Sequence, residues 1–378
     1  MPAGDFLVSA APPPVRVTTP RELLSAVPAL LGFYPRACVV VIGVMPLRGS
    51  VRVSLRFAGY DPAGPGAAAL RAGFAVALLA SGQCPQAAAV GYGPDQQVAP
   101  FFALLREQAA RLGIELTELL RAEDGRYWSC ARTGPSGCPP GGSPYGATPD
   151  PALAAFLPEG VPAVLPGREA LAGLVAPCGG EEAAPVARAV RAAGRRAARL
   201  TGRARQSAGP VTRRYPVAGA GIRAVRAALR ACRQGQAVTS TQAGWLLVAL
   251  GDPWVRDDAL GRLDPLHWRA DLRLWTDLTR LAAPGYVAAP ATLLAHAAWR
   301  AGNGALANVA LDRALDDDPG YPLACALHCV LALGAPPAKA EPPMTPRQVA
   351  AFYRARATGT GRPALTARHE AADGYLSA

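Results

Sequence analysis

The sequence has almost no lysine and no long apolar run. Lysine occurs once, as Lys339, among 39 basic residues, while alanine, glycine and proline are abundant. This usage is typical of GC-rich coding sequence, so the preference for arginine over lysine carries little functional information by itself. The longest apolar runs, such as 37–44 and 245–250, are far shorter than the ~20 residues that a membrane-spanning helix needs. The sequence therefore predicts no membrane partner.

The N-terminal residues lack the pattern of a secretory signal. The stretch MPAGDFLVSAAPPP has neither a basic segment nor a long apolar segment. We therefore expect a cytoplasmic protein, in which thiols stay reduced. The eight cysteines at 38, 84, 130, 138, 178, 232, 325 and 329 are accordingly expected to be free thiols.

Signatures of catalysis are also missing. The four histidines and the serines form no recognisable triad order and no nucleophile elbow. The turn GYGPD at 91–95 is not a GxGxxG motif and lacks the lysine of a phosphate-binding loop. The sequence predicts no cofactor and favours a protein without enzymatic activity.

Acidic residues are absent from one central region. Between Ala183 and Gly251 there are 13 arginines and no Asp or Glu, while the chain as a whole carries +12. The other parts together therefore come to about −1 (12 − 13). With 378 residues, two domains are expected.

The N-terminal half alternates strand and helix patterns. A β-branched run at 38–44 predicts a buried strand, and alternating apolar residues at 51–57 predict a second strand with one wet face. Further strands are expected at 87–93, 115–121 and 126–130, separated by helices at 63–80 and 95–112. After a disordered segment at 1–14, Thr18 or Thr19 can cap a helix that begins at Pro20 and has Glu22 in its first turn. Residues 15–150 are predicted to form an α/β domain. It would be a mixed sheet covered by helices.

The C-terminal half shows few strand patterns. Helices are predicted at 150–157, 167–175, 181–206, 217–234, 239–250 and 266–282, followed by three helices over 291–333. We divide this half into connecting, arginine-rich helices at 151–236 and an all-α domain at 237–335. Residues 336–378 are expected to be mostly disordered, with a short helix at 346–357.

The stretch 291–333 resembles a single tetratricopeptide-like helical hairpin. Small or apolar residues recur at the offsets that this repeat needs for close helix packing. The turn contains Gly302 and Asn303, and the third helix is apolar nearly all round, which predicts that it is buried. The residues of this structural signature are Gly302, Asn303, Ala307, Leu311, Ala314 and Pro319.

Several motifs in a fixed order resemble the actinobacterial domain of unknown function 4192 family. They are LLSAVPALLGFYP (23–35), VGYGPD (90–95), RYWSC and CPPGGSP within 126–144, PWVRDDAL (253–260) and the stretch 293–324. The resemblance implies a bacterial cytoplasmic protein but no particular activity. The family's loop usually has paired cysteines before Pro-Glu-Gly, whereas here Cys138 stands alone and Gly141 follows Pro140. This departure weakens a catalytic interpretation of the loop.

The first candidate ligand site is the 126–144 loop together with the preceding 91–95 turn. The loop follows a strand end, where ligands bind in α/β folds, and the two turn glycines could present amides to an anion. The alternatives are a surface loop anchored by its tryptophan, with two ordinary thiols, and a tight strand-to-helix turn. The candidate residues are Trp128, Ser129, Cys130, Arg132, Cys138, Gly91 and Gly93.

The second candidate is a metal site on the last predicted helix. Cys325, His328 and Cys329 stand at helical i, i+3, i+4 spacing, and His296 could be a fourth ligand. Buried thiols and a hydrogen-bonded histidine explain the same pattern, and we predict no metal.

The third candidate is a basic stripe on the long predicted helix at 181–206. Arginines recur every three or four residues along one side, so they could bind a polyanion such as nucleic acid. The alternative is a solvated face in an arginine-rich protein, and no aromatic residues interleave to stack on bases. The stripe consists of Arg188, Arg191, Arg195, Arg199 and Arg203.

The sequence therefore favours a non-catalytic protein-interaction or regulatory module with a protein partner whose identity the sequence leaves open. One alternative is an enzyme or small-ligand binder that uses the sheet edge and the 126–144 loop. The other is a basic nucleic-acid-associated protein that uses the arginines between 188 and 233.

Overall fold

A computed structural model describes residues 19–45, 50–58, 65–130, 139–146, 164–207, 209–333 and 342–359. The predicted disordered N-terminus, the predicted helix at 150–157 and residues 360–378 lie outside this part. The described residues divide into two compact units. The sheet unit extends to Leu171, and the helical unit contains Ala172–Leu331 together with 342–359.

The sheet unit contains a six-stranded mixed sheet with the order β2-β1-β3-β4-β5-β6. Only the β3–β4 pair is parallel, and helix α3 connects these two strands; the other pairs are antiparallel. This confirms the predicted fold class. The strands are β1 (Cys38–Met45), β2 (Ser50–Ala58), β3 (Gln86–Tyr92), β4 (Glu115–Glu123), β5 (Arg126–Ser129) and β6 (Ser143–Pro144).

Three helices belong to the sheet unit, namely α1 (Pro20–Leu31), α2 (Pro65–Ser81) and α3 (Asp95–Arg111). The cap of helix α1 is Thr19, one of the two predicted residues; it forms a capping box with Glu22, and Gly32 ends the helix with φ 76°. Helices α2 and α3 pack together on one face of the sheet. Their apolar side chains, among them Val76, Leu79, Phe102 and Leu105, form a buried core with the β1, β3 and β4 residues Val39, Val41, Ala87, Ala89 and Leu119.

Register brings one end of the sheet into a single row. Cys38 pairs with Tyr92, Tyr92 with Ala122, and Ala122 with Tyr127. The start of β1 and the ends of β3 and β4 therefore lie side by side, because β1 runs against the two parallel strands.

After the short helix α4 (Arg168–Gly173), the chain is helical throughout its described part. The elements are α5 (Gly180–Ser207), α6 (Pro210–Arg214), α7 (Ala218–Arg233), α8 (Ser240–Ala249), α9 (Pro253–Leu260), a 3₁₀ turn (Pro265–His267), α10 (Trp268–Leu281), α11 (Ala288–Arg300), α12 (Gly304–Asp317), α13 (Pro322–Ala332) and α14 (Pro346–Thr358). The sequence did not predict α6 and α9, which are short.

Helices α11 and α12 form the hairpin that the sequence indicates. Asn303 caps α12 by accepting a hydrogen bond from the Leu306 amide at 3.0 Å, and Gly302 adopts φ 79° in the turn. Ala307, Leu311 and Ala314 are fully buried on the inner side of α12. The small side chains permit the close approach of the two helices.

Asp317, at the C-terminal end of α12, caps the N-terminal end of α11. The Asp317 carboxylate accepts hydrogen bonds from the amides of Gly285, Val287 and Ala288 at 2.7, 2.9 and 3.0 Å. A negative charge is favourable there because the first amides of a helix have no partners within the helix.

The expectation that α13 is buried all round is wrong. Only Ala324 and Leu327 are buried, whereas His328 and Cys329 are exposed and Val330 is 36% exposed. An apolar composition predicts burial only when neighbouring elements cover every face of a helix. Within the described residues, the face of α13 that carries His328 and Cys329 is left exposed.

Candidate functional site

The long helix α5 packs by one face and leaves the other in solvent. Val186, Val190 and Ala193 are buried, and α5 contacts α8 along this face. The backbones approach closely at Gly244, where an added Cβ would lie 2.6 Å from Ala189. This contact fixes which side of α5 points outward.

The predicted basic stripe is on the outward side. All five of its arginines are exposed, and within the described residues none makes a hydrogen bond or ion pair. We call this set the arginine face; it consists of Arg188, Arg191, Arg195, Arg199 and Arg203. At 1.5 Å per residue its ends are about 22 Å apart along the helix.

Neighbouring arginines in the basic region have structural roles instead. The Arg196 guanidinium lies 4.1 Å from the ring centre of Trp245, a cation–π contact. Arg233 lies 3.4 Å from the buried Asp271 carboxylate. Sequence spacing alone does not separate these two residues from the arginine face, because their partners come from other helices.

Three described carboxylates of the helical unit are engaged by groups outside the arginine face. Asp258 is buried and accepts two hydrogen bonds from Arg262, at 2.5 and 2.9 Å. Asp257 pairs with Arg256 at 2.7 Å, and Asp317 caps α11. No ion pair within the described residues involves the arginine face, so its positive charge is available to an acidic ligand.

The 126–144 loop is anchored through its tryptophan. The Arg121 guanidinium lies 3.6 Å from the centre of the Trp128 ring, and the indole N–H donates to the Pro140 carbonyl at 3.1 Å. Gly142 packs against the same ring, where an added Cβ would lie 2.6 Å from the indole. Trp128 thus holds the 139–146 segment onto the end of the sheet.

Of the other candidates in this loop, Ser129 and Cys130 lie in its described part. The Ser129 hydroxyl lies 3.4 Å from the Glu118 carboxylate. Burial raises the pKa of the Cys130 thiol, which lowers its thiolate fraction at neutral pH. Arg132 and Cys138 lie outside the described residues.

The two turn glycines serve the backbone. An added Cβ at Gly91 would lie 2.4 Å from Val98, so this position needs a glycine for the close packing of β3 and α3. Gly93 adopts φ 151°, and its amide donates to the Ala122 carbonyl at 3.0 Å. That amide is therefore committed to the sheet rather than to an anion.

The four side chains of the metal candidate have unlike surroundings. His296 is 6% exposed and lies edge-to-face with Trp299, whereas His328 and Cys329 are exposed. Burial and the nearby Arg300 charge lower the pKa of His296 to about 4, so the ring is neutral at pH 7. Among the described residues, no three His, Cys, Asp or Glu side chains converge as metal ligands would.

The chain therefore belongs to the class of proteins that combine a mixed α/β sheet unit with a helical unit. Its helical unit displays the arginine face. A family model described as Domain of unknown function (DUF4192) matches residues 20–338, which is most of the chain. The protein belongs to this family. Neither the curated proteins nor the solved structures include a match. No helix in the described ranges is both long enough and apolar enough to cross a bilayer.

Proposed function

We propose that this protein is a non-catalytic interaction module whose helical unit binds an acidic protein partner through the arginine face. The observation that supports the proposal is the row of five exposed arginines without counter-charges in the described chain. Like charges at i, i+4 repel each other, and a ligand of opposite charge would relieve this repulsion.

An acidic helix fits this row better than a nucleic acid does. Guanidinium groups bind carboxylates through two parallel hydrogen bonds, and a helix with acids at i, i+4 repeats at the spacing of the arginines. Single-stranded nucleic acid needs exposed aromatic rings for stacking. The Trp245 ring contacts Arg196 of α5, but Trp245 is only 6% exposed and so offers no open ring face. Duplex nucleic acid, which needs only phosphate contacts, is the alternative that the experiment must distinguish.

We also propose a cellular location for the protein and a role for the α11–α12 hairpin. We place the protein in the cytoplasm of an actinobacterium, following the family resemblance, and we take α11–α12 to be a tetratricopeptide-like hairpin. In this account the hairpin stabilises the helical unit through its buried inner face and does not itself hold the partner.

The test is affinity capture from a lysate, with and without nuclease treatment, followed by quantitative mass spectrometry. The bait is the full chain, compared with a charge-reversed variant (Arg191→Glu, Arg195→Glu and Arg199→Glu). A matched control changes three exposed arginines of α14 by the same total charge (Arg347→Glu, Arg354→Glu and Arg356→Glu).

We expect an acidic protein to be captured by the wild type and the control but lost with the charge-reversed variant. Capture that disappears on nuclease treatment would instead support nucleic acid as the ligand. Equal capture by all three baits would show that the arginine face is only a solvated surface.

A further inference from the structure

A cleft of about 550 Å³ opens at the end of the sheet where β1 begins and β3 and β4 finish. We call it the sheet-end cleft. Its walls come from α1, the segment that follows α1, the end of β3, the β4–β5 turn and residues near 145 and 165. The side chains that matter below are Leu24, Pro28, Tyr34, Arg36, Tyr92 and Tyr145.

Backbone hydrogen bonds hold these walls in place. The Tyr34 amide donates to the Leu165 carbonyl at 2.9 Å, and the Leu165 amide donates to the Gly32 carbonyl at 2.9 Å. On the other side, the Tyr145 amide donates to the Gly125 carbonyl at 2.9 Å. The cleft is therefore built by elements that are fixed to each other within one unit.

The walls combine aromatic, aliphatic and charged groups. Three tyrosines and the aliphatic side chains of α1 offer apolar surface, and ring faces suit a planar ligand. Arg36 is exposed, and no hydrogen bond or ion pair engages its guanidinium within the described residues. Asp124, exposed in the β4–β5 turn, also lines the cleft and can accept a hydrogen bond.

We propose that the sheet-end cleft binds a small organic anion with a planar, largely apolar body. The Arg36 guanidinium takes the carboxylate or phosphate group through paired hydrogen bonds. The tyrosine and proline walls take the planar body, and Asp124 accepts a hydrogen bond from a hydroxyl or amino group of the ligand. The volume lies in the range of small-molecule sites, whose walls are mostly apolar with a few polar groups that orient the ligand.

The position of the cleft supports this assignment. In α/β sheets, ligands bind beyond the carboxyl ends of parallel strands, and β3 and β4 are the parallel pair here. Tyr92 is the last residue of β3, and Asp124 directly follows β4. The site is independent of the arginine face, because its residues all belong to the sheet unit.

The probes are 1-naphthoate and its neutral isostere 1-naphthamide, which share a planar body and differ in charge. Binding to the full chain is measured by titration calorimetry, and two-dimensional amide NMR locates the site. We expect naphthoate to bind with a 1:1 ratio and to shift the amides of 34–36, 92 and 124–125. Naphthamide should bind about tenfold more weakly, since it lacks the charge-assisted hydrogen bonds.

Arg36→Gln should reduce naphthoate affinity to that of naphthamide, whereas Arg347→Gln, with the same change in charge on α14, should leave it unaltered. Ser25→Trp, which fills the cleft, should abolish binding of both probes, and it keeps the test decisive if Arg36→Gln does not fold. Equal affinity for the two probes, no saturable binding, or amide shifts confined to other regions would overturn the proposal.

Discussion

The hydroxyl of Tyr353 donates a 2.6 Å hydrogen bond to Oδ2 of Asp257, although the two residues are 96 positions apart. The Tyr353 ring also stacks on Trp254, with centroids 5.6 Å apart and planes inclined by 10°. These contacts dock α14, which lies beyond the family-matched residues 20–338, onto α9 within the helical unit. A sequence-predicted short helix in a tail is thus an integral part of the fold.

Removing this hydroxyl should weaken the docking of α14. Tyr353→Phe keeps the stacked ring but leaves the half-buried Asp257 carboxylate with one partner fewer, at a cost of about 1–2 kcal/mol in the free energy of unfolding. The measurement is the urea midpoint together with amide exchange of α14. Arg354→Ala, an exposed change on the same helix, should alter the free energy of unfolding by less than about 0.5 kcal/mol. An unchanged midpoint and unchanged exchange in Tyr353→Phe would contradict the docking account.

Gly91 should be required for packing. Gly91→Ala places a Cβ against the buried Val98, so we expect a loss of about 1–3 kcal/mol in the free energy of unfolding. Combining it with Val98→Ala should cost less than the sum of the two single changes, because the second removes the clash. Gly73→Ala in α2, where a Cβ meets nothing within 4 Å, should raise stability by about 0.5–1 kcal/mol. Additive losses from Gly91→Ala and Val98→Ala would argue that Gly91 has another role.

Leu311, in the α11–α12 hairpin, should be required for the stability of the helical unit. Leu311 is fully buried in α12, so Leu311→Arg would bury an unpaired charge and cost more than about 4 kcal/mol, which should unfold the helical unit. Asn308→Arg on the exposed side of the same helix should change the free energy of unfolding by less than about 0.5 kcal/mol. Circular dichroism melting compares the two. A Leu311→Arg variant that melts at the wild-type temperature would show that this position does not hold the unit together.

His296 should make the helical unit sensitive to acid. Its pKa is lowered from 6.5 to about 4 by burial and by Arg300, so between these values the unfolded chain binds a proton that the folded chain does not. Stability therefore falls as the pH drops from about 6.5 to about 4, by about 3 kcal/mol in total. The measurement is the free energy of unfolding against pH for the wild type and for His296→Leu. The difference in free energy of unfolding between the wild type and His296→Leu should shrink or reverse as the pH falls from about 6.5 to about 4. If the two proteins lose stability in parallel over this range, His296 is not the cause.

Patterns that depend on one element were readable in the sequence. The capping residues Thr19 and Glu22, the β-branched run of β1, and the periodicity of α5 predict elements that the structure contains. Each reflects a local rule of hydrogen bonding or amphipathic spacing, which needs no knowledge of the partner.

Features that depend on distant partners were not readable. Arg196 and Arg199 look alike in the sequence, yet Arg196 covers Trp245 while Arg199 stays in solvent. The sheet-end cleft joins Tyr34, Tyr92 and Tyr145, which the strand register brings together from three separate segments. The exposure of α13 likewise depends on which elements pack against it, and the composition of the helix does not determine that.

The proposed binding of an acidic helix by the arginine face can be measured in solution. The most direct measurement is fluorescence anisotropy of a labelled helical peptide with glutamates at i, i+4, titrated with the full chain in 150 mM salt. Wild type and the Arg347, Arg354 and Arg356 control should bind within about twofold of each other. The variant with Arg191→Glu, Arg195→Glu and Arg199→Glu should bind at least about tenfold more weakly, because each reversal replaces an attraction of up to about 1 kcal/mol by repulsion. Equal binding by all three proteins, or no binding by any, would contradict the account.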